Sequence, residues 1–186
     1  MDIRKTERLI SEINRIHRLY SEDYFETGKV EKLNLSRTIS HIPKEHILRY
    51  RLNLHESIND YLVKSDLDDV NYYYRVKTAE SILDKIRRYS ESAEQYPVNN
   101  WMNDIFGCRT ILCKEEIGKA LDGVDLWREK YGLKNWYLRN KDGYKGVHIY
   151  FKNNSNFYFP WELQLWDAAD IESNIESHRR QKRNFV

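Results

Sequence analysis

Glycine and proline are scarce, 7 and 3 in a chain of 186 residues, which leaves little material for long structureless loops. Cysteine is scarcer still. Cys108 and Cys113 supply neither a disulfide framework nor a zinc-ligand spacing. Both fall in an apolar stretch and read as buried small hydrophobes of a reduced compartment. The 6 histidines are scattered, with no His-x-x-x-His or His-Asp pair, so a histidine metal centre has no support. No apolar run approaches the roughly 18 residues a membrane span needs, and no signal-peptide core opens the chain. A soluble cytoplasmic protein with no membrane partner is therefore expected. Excess charge is lacking too. With 31 Lys+Arg against 29 Asp+Glu the formal net charge is +2, which excludes a polybasic protein held to nucleic acid by bulk charge.

What is present is charge of both signs, 32% of residues, and an unusual share of aromatics, with 14 Tyr, 6 Phe and 5 Trp. That much aromatic surface builds a core and argues against disorder. By size the chain is a single domain, residues 1–186.

Leu9, Ile13, Ile16 and Tyr20 recur at helical spacing, and Pro43 opens a second amphipathic helix carrying Ile47, Tyr50, Leu54, Ile58, Tyr61 and Leu62. After the acidic break Asp66–Asp69 the pattern alternates. Strands are expected at Val70–Val76, Ile105–Leu112, Lys134–Leu138, Val147–Phe151 and Phe157–Trp166. Helices are expected around Ala79, Ile82, Ile86 and Tyr89, over Glu115–Lys130, and from about Asp167 into the basic tail Arg179–Arg183. A helical part (1–69) thus precedes a core (70–183). The fold class is α+β (α/β-like), a single mixed β-sheet of about five strands flanked by helices.

Four places carry chemistry. Lys77, Ser81, Lys85 and Arg88 share one face of the third helix near its N-terminus and suit a polyphosphate, although a solvated basic face uses the same residues. Asp104 and Arg109 bracket Gly107. Their odd spacing needs a bulge at Gly107, or a strand beginning after Asp104, to bring them to one side. Asp142-Gly143 is a hairpin turn that places Tyr144 at its tip, where the ring could stack on a base, followed by Lys145 and His148. In Trp161–Trp166, alternation puts Trp161, Leu163 and Leu165 on one face and Glu162, Gln164 and Trp166 on the other. A buried carboxylate and amide there would be costly unless paired or functional.

The order of these segments is more specific than any one of them. Arg75-x-Lys77-x-x-x-Ser81-Ile82-x-x-Lys85, Asp104-x-x-Gly107-x-Arg109, Gly143-Tyr144-Lys145-x-x-His148 and Glu162-x-Gln164 resemble the synthetase domain of the RelA/SpoT family. The likeness is greatest to its small stand-alone alarmone synthetases. It covers roughly residues 70–183.

The resemblance implies a nucleotidyltransferase-like sheet and a Mg²⁺-dependent pyrophosphokinase that moves the β,γ-pyrophosphate of ATP to the 3′-hydroxyl of GDP or GTP. It implies that Arg75 and Arg109 sandwich the adenine and that Lys77, Ser81, Lys85 and Arg88 hold the ATP phosphates. Asp104 and Glu162 would ligate Mg²⁺, with Glu162 also placed to take the proton of the attacking hydroxyl and Gln164 supporting it. Tyr144, Lys145 and His148 would hold the acceptor nucleotide. The chain departs from the family where Glu-x-Gln continues as Leu165-Trp166-Asp167 in place of Ile/Val-Arg-Thr, which leaves the acceptor open. Relatives that act on adenine nucleotides or the 3′ end of tRNA, and a catalytically silent nucleotide sensor, are the alternatives. The last helix offers only a loose version of the family's ending, Glu176, His178, Lys182 and Arg183. The sequence stops at Val186 without the helices through which some small synthetases tetramerise, so that assembly is not expected.

Overall fold

The computed structural model describes residues 3–183. Helix α1 (Ile3–Glu22) buries Leu9, Ile10, Ile13, Ile16 and Tyr20 along one stripe. It runs into a π-turn, Asp23–Thr27, that closes on Gly28. A Cβ there would stand 2.4 Å from the Tyr24 carbonyl oxygen, so the turn requires glycine. Pro43 precedes α2 (Lys44–Leu62), whose buried side is Ile47, Tyr50, Leu54, Ile58 and Leu62. The rest of the chain alternates: β1 (Tyr73–Val76), α3 (Ala79–Ser90), α4 (Val98–Trp101), β2 (Phe106–Leu112), α5 (Lys114–Asp122), α6 (Val124–Tyr131), β3 (Leu133–Lys141), β4 (Tyr144–Phe151), β5 (Trp161–Asp167) and α7 (Ile171–Arg183).

The five strands form one mixed sheet in the order β1-β2-β5-β4-β3. Of its four pairings, β2 with β5 is parallel and the other three are antiparallel. The period of two along each strand gives the sheet two unlike faces. Phe106, Cys108, Trp161, Leu163, Leu165, Val147, Ile149 and Phe151 form the apolar face and are buried. Helix α1 lies on it: His17 stacks on Phe106 with centroids 5.6 Å apart, and Trp161 Nε1 donates to Asn14 Oδ1 at 2.7 Å. The helical N-terminal part and the sheet therefore share one core. The opposite face is polar, and the site lies there.

Several expected boundaries move. The first strand begins at Tyr73 rather than Val70. The Glu115–Lys130 helix breaks at Gly123 into α5 and α6. The last strand begins at Trp161 because Pro160 has no N–H for the ladder. Helix α4 was not expected. Cys108 is buried, which raises its thiol pKa, but Cys113 is exposed at the start of α5 and neither is disulfide-bonded.

Candidate active site

Registered partners on neighbouring strands share a face, and Arg75, Gly107, Glu162 and Tyr150 stand in one row across β1, β2, β5 and β4. Gly107 contributes no side chain, so Arg75 reaches across it to Glu162, Nη2 to Oε2 at 3.5 Å. Glu162 is 2% exposed and fully engaged. Tyr150 Oη donates to Oε1 at 3.0 Å, His148 Nδ1 lies 2.7 Å from the same oxygen, and Gln164 Nε2 donates to Oε2 at 2.8 Å. Burial opposes the carboxylate charge. The His148 hydrogen bond and charge together with Arg75 outweigh it and hold the carboxyl down to about 2. An ionised Glu162 only accepts hydrogen bonds, so His148 carries a proton on Nδ1.

Asp104 lies just before β2, so the strand starts after it and no bulge is needed at Gly107. Two lysines meet it: Lys77 Nζ at 2.6 Å from Oδ2 and Lys85 Nζ at 2.9 Å from Oδ1. Burial works against this carboxylate as well. The two lysines overcome it and keep the pKa well below the usual range. The lysines reach Asp104 from different elements. Lys85 is on α3, whereas Lys77 precedes the helix, because Thr78 is its N-cap and accepts from Ser81 N at 3.3 Å. The link is fixed by Lys77 N–H donating to the Ile105 carbonyl at 2.8 Å and Arg51 Nε donating to the Lys77 carbonyl at 2.8 Å.

The Asp142-Gly143 turn has φ values of 55° and 78°, the two-residue hairpin form with both residues left-handed. Those two residues use up the tip. Tyr144 is therefore the first residue of β4, and it is buried rather than presented to solvent. Its ring folds back over Gly146, where a Cβ would sit 2.8 Å from Tyr144 Oη and 3.2 Å from Trp166 Cδ1. Tyr144 Oη accepts from Trp166 Nε1 at 3.0 Å and lies 2.8 Å from His148 Nε2, while His178 meets the ring edge-on at 5.3 Å.

One cleft of about 700 Å³ gathers Arg75, Lys77, Ser81, Lys85, Arg88, Asp104, Tyr144, His148, Glu162 and Gln164. Arg88 lines it while paired with Asp84 at 3.0 Å. Two expected residues lie elsewhere. Lys145, one step along β4 from Tyr144, faces the other way; its ammonium is half exposed and 3.4 Å from Asp170. Arg109 lines a smaller side pocket with Tyr73, Tyr74, Cys108 and Gly107, and this pocket shares Arg75, Glu162 and Gln164 with the main cleft. Gln164 Oε1 accepts from Arg109 Nε at 3.2 Å and Nη2 at 3.0 Å, and the guanidinium lies 3.5 Å over the Trp166 ring. Burial pushes this guanidinium down to about 10. Lys182 and Arg183 of the basic tail have side chains outside the described residues.

Sequence reasoning missed Asn135, Tyr137, Arg139 and Tyr150, all of which line the cleft. Their signal is the period of two in β3, and the step of two from His148 to Tyr150. Tyr137 stacks on His148 with centroids 5.2 Å apart, and its hydroxyl is 3.2 Å from that of Tyr150. For a metal, the described residues offer no group of three or more His, Cys, Asp or Glu. They do offer two ionised carboxylates in one cleft whose charges repel each other. Each Asp104 oxygen accepts from one lysine and keeps a lone pair, and Glu162 would exchange one of its present hydrogen bonds for the ion; with substrate phosphates and water completing the shell, this oxygen set fits Mg²⁺.

No protein-family model and no curated protein matches the chain. Solved structures do. Small alarmone synthetase 1 from Bacillus subtilis, bound to its product pppGpp, is 19% identical with a TM-score of 0.45, over 76% of this chain and 77% of that one. Small alarmone synthetase 2 from the same organism is 22% identical with a TM-score of 0.44, over 77% and 82%. A GTP pyrophosphokinase family protein from Streptococcus pneumoniae is 17% identical with a TM-score of 0.41, over 77% and 74%. In the order of its four motifs, and in the set of solved structures it resembles, the chain is similar to the small stand-alone synthetases of the RelA/SpoT type.

Proposed function

We propose that the chain is a Mg²⁺-dependent pyrophosphokinase that transfers the β,γ-pyrophosphate of ATP to the 3′-hydroxyl of GDP or GTP. The observation that carries this reading is the cleft's charge arrangement. Two lysines converge on one buried, ionised carboxylate, and a second buried, ionised carboxylate stands across the same cavity. In the reaction a bond forms from the acceptor 3′-oxygen to the β-phosphorus and the bond from that phosphorus to the α,β-bridging oxygen breaks. AMP leaves with the bridging oxygen. The nucleophile must approach about four negative charges, so the protein's work is neutralisation and alignment.

Lys77, Ser81, Lys85 and Arg88 are the groups for the triphosphate. Arg75 and Arg109 flank the side pocket, which suits the flat adenine. Asp104 and Glu162 would hold Mg²⁺, which when bound neutralises phosphate charge. A carboxyl held down to about 2 is a weak base, so Glu162 chiefly holds cation and geometry and receives the 3′-hydroxyl proton only as the new bond forms. Tyr144, His148 and Gln164 bound the acceptor end, while Lys145, facing Asp170, stays outside it.

The test offers ATP labelled in its γ-phosphate, with Mg²⁺, to GDP, GTP, ADP and deacylated tRNA separately. Label should move to GDP or GTP, chelation of the metal should stop it, and Glu162→Gln and Asp104→Asn should each cut the rate by about a hundredfold or more. Transfer only to ADP or tRNA would move the chain to the other acceptors, and ATP binding without any transfer would make it a sensor. Either result overturns this reading.

A further inference from the structure

Trp166 occupies the position where the motif departs from the family, and no role above falls to it. It is 2% exposed, lines neither compartment itself, and contacts residues of both, Arg109 of the side pocket and Tyr144 of the main cleft. On one side the guanidinium carbon of Arg109 lies 3.5 Å over the centre of its ring; on the other its Nε1 donates to Tyr144 Oη at 3.0 Å. His178 of α7 stacks on the same indole, centroids 5.6 Å apart at 20°. Gly146 leaves the room for this packing, since a Cβ there would crowd both Trp166 and Tyr144. One rigid bicyclic ring therefore backs the guanidinium of the side pocket and tethers the phenol of the main cleft.

The geometry points to Trp166 as a positioning residue that joins the donor and acceptor subsites. This rests on the pyrophosphokinase reading, in which the side pocket takes adenine and the cleft takes the acceptor. A guanidinium is planar by delocalisation and stacks on a ring only while it is held in place over it. In this protein Trp166 and Gln164 Oε1 hold Arg109 so. Filling the side pocket presses Arg109 onto Trp166, and the indole carries that restraint to Tyr144 through its N–H. Each nucleotide then favours binding of the other by the same factor, as linkage requires.

The two contacts use different parts of the indole, so they can be removed separately. Trp166→Phe keeps an aromatic surface under Arg109 and deletes the N–H. Trp166→Leu removes both. Binding is measured by calorimetry with a non-transferable ATP analogue and with GDP, each alone and each in the presence of the other, on proteins matched for unfolding midpoint. Trp166→Phe should leave the ATP-analogue affinity unchanged, weaken GDP about two- to tenfold, as loss of one hydrogen bond does, and abolish the mutual enhancement expected of the wild type. Trp166→Leu should weaken both. If Trp166→Leu does not fold, Arg109→Lys and Tyr144→Phe replace it, the first weakening only the analogue and the second only GDP. Equal effects of Trp166→Phe on both ligands, or no mutual enhancement in the wild type, would overturn the proposal. Failure of the wild type to bind the ATP analogue at all would instead overturn the reading beneath it.

Discussion

Gly146 has an ordinary strand conformation and is required by its neighbours rather than by its dihedrals. A methyl group there would stand 2.8 Å from Tyr144 Oη and 3.2 Å from Trp166 Cδ1. The phenol would have to leave either the indole N–H or His148 Nε2, both of which now hold it. Gly146→Ala should therefore destabilise the protein by about 1–3 kcal/mol, the usual cost of overpacking a filled interior. Denaturant titration read by tryptophan fluorescence would check this, and an unchanged midpoint would mean that Tyr144 repacks freely. The same residues explain what the sequence could not supply. The Gly143-Tyr144 pair is legible as hairpin chemistry, but the burial of Tyr144 depends on Trp166 and His178, which lie 22 and 34 positions further along the chain.

At the scale of elements, α7 packs on the sheet through His178 and is hydrogen-bonded to the β4 backbone through Asn174. Asn174, fully buried, accepts from Lys145 N at 2.7 Å and donates to the Lys145 carbonyl at 2.7 Å, completing the backbone pairing that β4 lacks on that side. Asn174→Ala should cost about 1–2 kcal/mol, because two part-buried backbone groups lose their partner, and should let α7, with His178, lift from the acceptor end. Hydrogen exchange over residues 171–180 would show faster exchange confined to α7; uniform change across the chain would refute a local tether. Elements were legible where one periodicity persists. The stripes of α1 and α2 and the alternation of Trp161–Trp166 follow directly from residue spacing. Elements set by context were not. Lys77 reads as helical until Thr78 is seen to cap the helix, and Gly123 splits a continuous apolar stripe into α5 and α6. On β3 the residues Asn135, Tyr137 and Arg139 acquire their meaning only by pairing with β4.

Across the whole molecule, the polar face holds ionised groups while the apolar face holds a neutral one. His17 is buried between α1 and the sheet, stacked on Phe106. Its Nδ1 faces the donor Asn153 Nδ2 at 3.2 Å, so the proton sits on Nε2, which lies 3.2 Å from Tyr50 Oη. Burial lowers its pKa from 6.5 to about 3. The folded value is the lower one, so between those two pH values the unfolded chain binds a proton that the native chain refuses. Stability must fall as the pH drops through that window. From pH 7 to pH 5 the loss attributable to His17 is about 2 kcal/mol. Asp104 and Glu162 act in a separate and more acidic window. Their folded values are depressed, so their contribution is complete above the ordinary carboxylate value of about 4 and fades only below it. Urea unfolding at pH 7 and pH 5 separates the two sources. His17→Gln, which keeps a polar group facing Tyr50 and Asn153, should lose stability over that interval by less than half as much as the wild type, whatever its own stability at pH 7. An equal loss in both proteins would place the acid sensitivity elsewhere than beneath the sheet.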